Sequence, residues 1–111
     1  MTRVLAFVGP RASKRFQLCW AALMAAGDGK GERSPVVIRK EARLQDLLDP
    51  LGEPSVNGND RVLGPAGGTV TLAQEDFDLL QQYTEKTAWN PVHSRDVVDL
   101  WDWLSTAEKR D

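Results

Sequence analysis

Residues 70–104, VTLAQEDFDLLQQYTEKTAWNPVHSRDVVDLWDWL, contain two stretches of helical apolar spacing separated by Asn90-Pro91, and three of the four tryptophans. In the first stretch Ala73, Phe77, Leu80 and Tyr83 or Thr84, with Leu79 alongside, share one face of a 3.6-residue period. In the second, Val97, Leu100, Trp101 and Leu104 do the same. Proline has no N–H and its ring clashes with the preceding turn, so the stretch makes two helices rather than one. Thr71 and Gln74 are spaced as a capping box, and Glu75, Asp76 and Asp78 lie near the positive end of the helix dipole. Ser94 is placed to cap the last helix.

The preceding residues supply what these helices pack against. Val4, Leu5, Ala6, Phe7 and Val8 form an unbroken apolar run ended by Gly9-Pro10, the pattern of a strand buried on both faces. Phe16, Cys19, Trp20, Leu23 and Met24 then follow i, i+3, i+4, i+7, i+8 along an alanine-rich helix, with Gly27 as its stop. Residues 27–35, GDGKGERSP, read as a glycine-rich loop and the expected mobile segment. Residues 35–40 are open between strand and helix. Leu44, Leu47, Leu48 and Leu51 repeat at helical spacing before Pro50 and Gly52 close that helix. Residues 53–60 are turn chemistry, with a tight turn at Asn57-Gly58. Residues 61–63 and 69–71 flank a glycine-containing loop and read as a hairpin. The tail from Glu108 to Asp111 is expected to fray.

At 111 residues, with 41% apolar and 27% charged residues, the chain has room for one ordinary core. The lone Cys19 rules out an internal disulfide and every multi-cysteine zinc pattern, which fits a reducing compartment. The apolar run near the N-terminus is too short to span a membrane or to form a signal-peptide core, so a cytoplasmic location is expected. Net charge is −2 but unevenly divided. Residues 1–50 carry nine Lys/Arg against five Asp/Glu, giving +4, and residues 51–111 carry five against eleven, giving −6. Such an asymmetry steers a partner or favours head-to-tail self-association.

The candidate chemistry is sparse. Gly9-Pro10-Arg11-Ala12-Ser13-Lys14-Arg15 stands where phosphate-binding loops stand, between a strand and a helix. A P-loop needs GxxxxGK[ST] so that several backbone N–H groups converge; here proline removes a donor and the second glycine is missing. His93 is the only histidine, which rules out a multi-histidine metal site. Cys19 lies on an apolar stripe and reads as a small core side chain. Asp96, Asp99 and Asp102, spaced i, i+3, i+6, form an acidic ridge read as a solvated face rather than a metal or acid–base pair. Trp101-Asp102-Trp103 is the most informative detail. Adjacent helical residues point about 100° apart, so both indoles cannot sit centrally on one narrow stripe. At least one is expected at the margin or surface, where tryptophan anchors interfaces.

Leu72, Asp76, Phe77, Leu79, Leu80, Ser94, Arg95 and Trp103 together resemble the start of the winged-helix DNA-binding domain of response regulators. That resemblance implies a hairpin followed by two helices and then a recognition helix. Ala73 stands at the family's capping threonine, and the eight residues after Trp103 leave no chain for a recognition helix and wing, so it is not adopted. The general layout is similar to short accessory proteins of phage and prophage genomes, without a diagnostic motif.

The expected fold is α+β: a single small domain over residues 1–111, with a few short strands (including a hairpin near residues 61–72) and three to four helices, the last two paired. The expected function is that of a small non-enzymatic cytosolic protein-interaction, assembly or adaptor protein, working through a protein partner or self-association. Its surface would comprise Trp101, Trp103, Asp96, Asp99 and Asp102. The alternative is a transcription-related nucleic-acid binder using Arg11, Lys14, Arg15, Arg39, Lys40 and Arg43. No cofactor, metal or membrane partner is expected.

Overall fold

The structure, a computed structural model, describes residues 1–25, 34–54, 61–65 and 67–110. Among them are four α-helices and five short strands in α+β order. These are β1 (Thr2–Phe7), α1 (Ala12–Ala25), α2 (Pro35–Leu48), β2 (Gly52–Pro54), β3 (Arg61–Leu63), β4 (Gly68–Ala73), α3 (Gln74–Lys86), α4 (Ser94–Ser105) and β5 (Glu108–Arg110). Single 3₁₀ turns at Asp49–Leu51 and Pro91–His93 follow α2 and precede α4.

β1 is the central strand of a three-stranded antiparallel sheet, ordered β4-β1-β5. Leu5 and Phe7 are fully buried on the face that meets the helices; Phe7 meets the ring of Phe16 edge-on at 5.5 Å. The expectation of burial on both faces holds only in part. Val4 is buried, but Ala6 is partly exposed and Val8 is exposed, because the helices cover one side of the sheet. β4 shows the alternation of a half-covered strand: Val70 and Leu72 are buried, Thr69 and Thr71 exposed.

The strands expected to form a hairpin at 61–72 do not pair with each other. β3 pairs with β2 in a separate two-stranded sheet, and β4 pairs with β1 through Leu5↔Val70 and Arg3↔Leu72. The reason is in the loop between them. Gly67 adopts φ +64°, and a Cβ there would lie 2.5 Å from the Phe7 carbonyl oxygen. The chain thus passes under the end of β1 and feeds β4 onto β1 instead of back onto β3.

α1 lies at the centre of the helical layer, in contact with β1, β3, α2, α3 and α4. Phe16, Cys19, Trp20 and Leu23 are buried as their spacing requires, whereas Met24 is exposed. Ala12, Leu18 and Ala22 are buried too, since neighbours on several sides leave α1 little solvent-facing surface. Residues 35–40 are helical: Ser34 accepts a hydrogen bond from the Val37 N–H and Pro35 occupies the first turn, a strong local start signal. Leu44 and Leu48 are buried, and Leu47 and Leu51 pack at the core margin.

Three helix ends differ from expectation. β4 runs on to Ala73, which is the residue before α3, so Thr71 pairs with Val4 in the sheet and makes no capping box. The Gln74 N–H is taken by the Met1 carbonyl. α3 stops at Lys86, short of Asn90-Pro91, because the Thr87 hydroxyl donates to the Tyr83 carbonyl and the Trp89 indole N–H to that of Thr84. Before α4 the side-chain cap comes from Asn90, which accepts from the Val92 N–H, and Ser94 is the first helical residue. The tail also departs from expectation. Glu108–Arg110 pairs with β1, and the Arg3 guanidinium donates to the Ala107 carbonyl while lying 4.6 Å from the Phe77 ring centroid. The loop and helix stop expected at 27–33, the Asn57-Gly58 turn and Asp111 lie outside the described residues.

Gly67 and Gly9 separate two costs of substitution. Gly9 has φ +89° but open space around its missing Cβ. Gly9→Ala is expected to cost only the left-handed strain of about 1–2 kcal/mol. Gly67→Ala adds a backbone clash and is expected to cost roughly 3 kcal/mol or more. Urea unfolding midpoints of the two variants check this order.

Candidate functional site

Six of the eleven residues singled out from the sequence, Arg11, Lys14, Arg15, Asp96, Asp99 and Trp103, converge on the contact between α1 and α4. Asp99 and Trp103 are i, i+4 neighbours on α4, so both project toward α1. Arg15 of α1 answers both. Its Nε and Nη2 donate to the two carboxylate oxygens of Asp99 at 3.0 and 3.1 Å, and its guanidinium carbon lies 5.2 Å from the Trp103 ring centroid. Arg11, one turn earlier, adds an ion pair to Asp99 at 3.1 Å. Lys14 lies 3.9 Å from Asp96 and 3.5 Å from Nδ1 of His93. The Trp103 ring also packs on Phe7, with ring centroids 5.1 Å apart.

Asp96 and Asp99 of the acidic ridge and three of the candidate cations are therefore one intramolecular clasp. Asp99 sits at its middle, 21% exposed through its side chain. The hydrogen bonds from Arg15 hold its carboxyl below the ordinary value of 3.8; desolvation opposes this, and the charges of Arg15 and Arg11 reinforce it. Asp96 is at the edge of the clasp, and Asp102 is exposed on the far side.

A second clasp joins α2 to α3. Arg43 Nη2 donates to Asp76 at 2.6 Å and to Glu75 at 3.2 Å, and Lys40 pairs with Glu75 at 3.6 Å. Asp76 is buried, and its bond and charge raise the pKa of Arg43 above its already high value. The buried Glu41 accepts a 2.5 Å hydrogen bond from the Tyr83 hydroxyl beside them. Of the cations proposed as an anionic-partner surface, Arg39 alone makes no ion pair among the described residues. Glu41 and the Tyr83 hydroxyl carried no sequence signal as a pair, because 42 positions separate them.

The two tryptophans of α4 divide their roles. Val97, Leu100 and Leu104 form the buried face. Trp101, expected on that face, is instead 37% exposed, and Trp103 turns inward to Phe7 and Arg15. Next to Trp101 on the outer surface is Val98, 51% exposed, with Val92 exposed in the preceding turn. This is a small apolar patch on a helix whose Asp96 and Asp99 are already paired with α1 and the turn before it.

Cys19 is completely buried, and burial alone pushes its thiol up to about 12. Among the described residues no group of three or more His, Cys, Asp or Glu is placed to hold a metal ion, and no helix is long and apolar enough to cross a membrane. A shallow hollow of about 240 Å³ lies between Gly9, Ala12 and Ser13 and the loop at Leu63–Pro65. No family model, curated protein or solved structure matches the chain.

Two measurements check this arrangement. Because the folded pKa of Asp99 lies below its ordinary value, its stabilisation is complete above that value and is lost as pH falls through the folded pKa. Asp99→Asn is therefore expected to lower stability by about 1 kcal/mol at pH 7, the top of the range for solvent-contacting ion pairs. The gap between the variant and the native chain should narrow as pH falls below the ordinary aspartate value, read from urea midpoints at descending pH. In the second, Cys19 in the native chain should react with a thiol reagent at neutral pH far more slowly than in the unfolded chain, because its side chain is closed to the reagent and burial disfavours the thiolate.

Proposed function

We propose that this protein is a small non-enzymatic interaction module, an adaptor or assembly component that works through protein contacts at the outer face of α4. The observation that carries this reading is Trp101. It stands exposed beside Val98 on a helix whose inner face is already filled by Val97, Leu100 and Leu104. A tryptophan with an apolar neighbour on a rigid element is the residue type that anchors interfaces, since it contributes large contact area with little loss of side-chain freedom. Trp103, Asp96 and Asp99 serve this surface from behind: they hold α4 against α1 and so fix which way Trp101 points.

The nucleic-acid reading needs cations free to meet phosphates. Arg11, Lys14, Arg15, Lys40 and Arg43 already face carboxylates, which leaves Arg39 of that set. Protein contact is therefore the better supported of the two.

A photo-reactive amino acid placed at Val98, with Gln82 on the exposed side of α3 as control, tests the reading in cells that naturally make the protein. Crosslinks to protein are expected from position 98 and not from position 82, and Trp101→Ala should reduce them about tenfold. Equal crosslinking from both positions, or products that are mainly nucleic acid, would sink the proposal.

A further inference from the structure

The outer face of α4 has a regularity beyond its exposed indole. Ser94, Val98, Trp101 and Ser105 follow i, i+4, i+7, i+11, and all four are exposed. That is the spacing of a coiled-coil seam, here on the side of the helix turned away from the core. Arg95 and Asp102, seven residues apart, lie together on one flank of the seam. Both are exposed, and neither side chain has a partner among the described residues. The opposite flank is Val97 and Leu104, which are buried in the chain's own core.

We propose that this seam is a two-fold contact with a second copy of the chain, the two α4 helices lying antiparallel. The proposal rests on the interaction surface assigned above and names its partner. In an antiparallel pair, Val98 of each copy lies opposite Trp101 of the other, so the two central layers set the larger side chain against the smaller, and Ser94 lies opposite Ser105 at the ends. Flank residues in such a pair meet the same flank of the other helix. Arg95 of each copy then faces Asp102 of the other, twice over, and no charge is left without an opposite.

A parallel pair does not work on this surface. It stacks Trp101 on Trp101, and it turns Arg95 and Asp102 toward the flank of Val97 and Leu104, which offers no charge. Antiparallel helices also set their dipoles against each other favourably. The contact is small. α4 has 12 residues, a length of about 18 Å, and one helix pair of that size falls short of the 1,200–2,000 Å², roughly, of a stable complex. The dimer is accordingly weak, with Kd on the order of 100 µM.

Sedimentation equilibrium of the full chain from roughly 10 to 500 µM brackets that constant. A monomer–dimer equilibrium is expected. Val98→Asp, Arg95→Asp and Asp102→Arg are each expected to raise Kd about tenfold or more, the last two by setting like charges together at both symmetric pairs. The double variant Arg95→Asp with Asp102→Arg should return Kd to within about twofold of the native chain, a rescue that only opposed pairing of these two residues produces. Far-UV thermal melts matching the native chain show that the charge variants fold. A monomer throughout this range, or a dimer indifferent to the charge swap, would overturn the self-pairing. Crosslinks from position 98 to a different protein would in that case still uphold the interaction surface, so the two readings fail separately.

Discussion

The orientation of α4 depends on one guanidinium. Arg15 donates two hydrogen bonds to the carboxylate of Asp99 and lies against the indole of Trp103, so one side chain of α1 fixes two points, one turn apart, on α4. Two fixed points on a helix set its rotation about its axis. With Trp103 turned toward Phe7 and Val97, Leu100 and Leu104 set into the core, the 100° step between residues leaves Val98 and Trp101 outside. The outward face of α4 is thus a consequence of the contact behind it. Charge-assisted, bidentate bonds are directional, and this lets a partly solvated ion pair set geometry even though its contribution to stability is small.

The same device recurs along the molecule. Arg43 and Lys40 bring α2 onto Glu75 and Asp76 of α3, and Glu41 meets Tyr83 beside them. Arg3 spans from the ring of Phe77 to the carbonyl of Ala107 and brings the C-terminal strand onto β1. The charge asymmetry along the sequence, basic first and acidic second, is resolved by packing the first half against the second. What reads along the chain as a long-range dipole is in space a set of short contacts. This is why five of the six candidate cations and two of the three ridge aspartates are paired within the chain.

Much of the fold was legible from periodicity. A stripe such as Phe16, Cys19, Trp20 and Leu23, or Val97, Leu100 and Leu104, declares its helix because burial of one face demands that spacing whatever lies opposite. The start of α2 was open in the sequence, although Ser34 and Pro35 carry the local signal that decides it. Strand pairing was not legible. Residues 61–63 and 69–71 look like two arms of a hairpin, yet each finds its partner elsewhere, since pairing is decided by which backbone edge is brought near and not by the turn alone. Capping by Thr71 failed for the same reason, because its backbone was taken by the sheet.

The sequence by itself determined the class of object: one core, amphipathic helices, no disulfide, and a Trp-Asp-Trp step that forces one indole away from the centre of the buried stripe. These follow from composition and from the angular period of a helix, which need no knowledge of neighbours. Only the tertiary structure decided that Trp103 goes inward and Trp101 outward, and that Asp99 answers Arg11 and Arg15. Those outcomes depend on contacts between residues more than 80 positions apart, and a pairwise attraction at that separation leaves no local pattern to read.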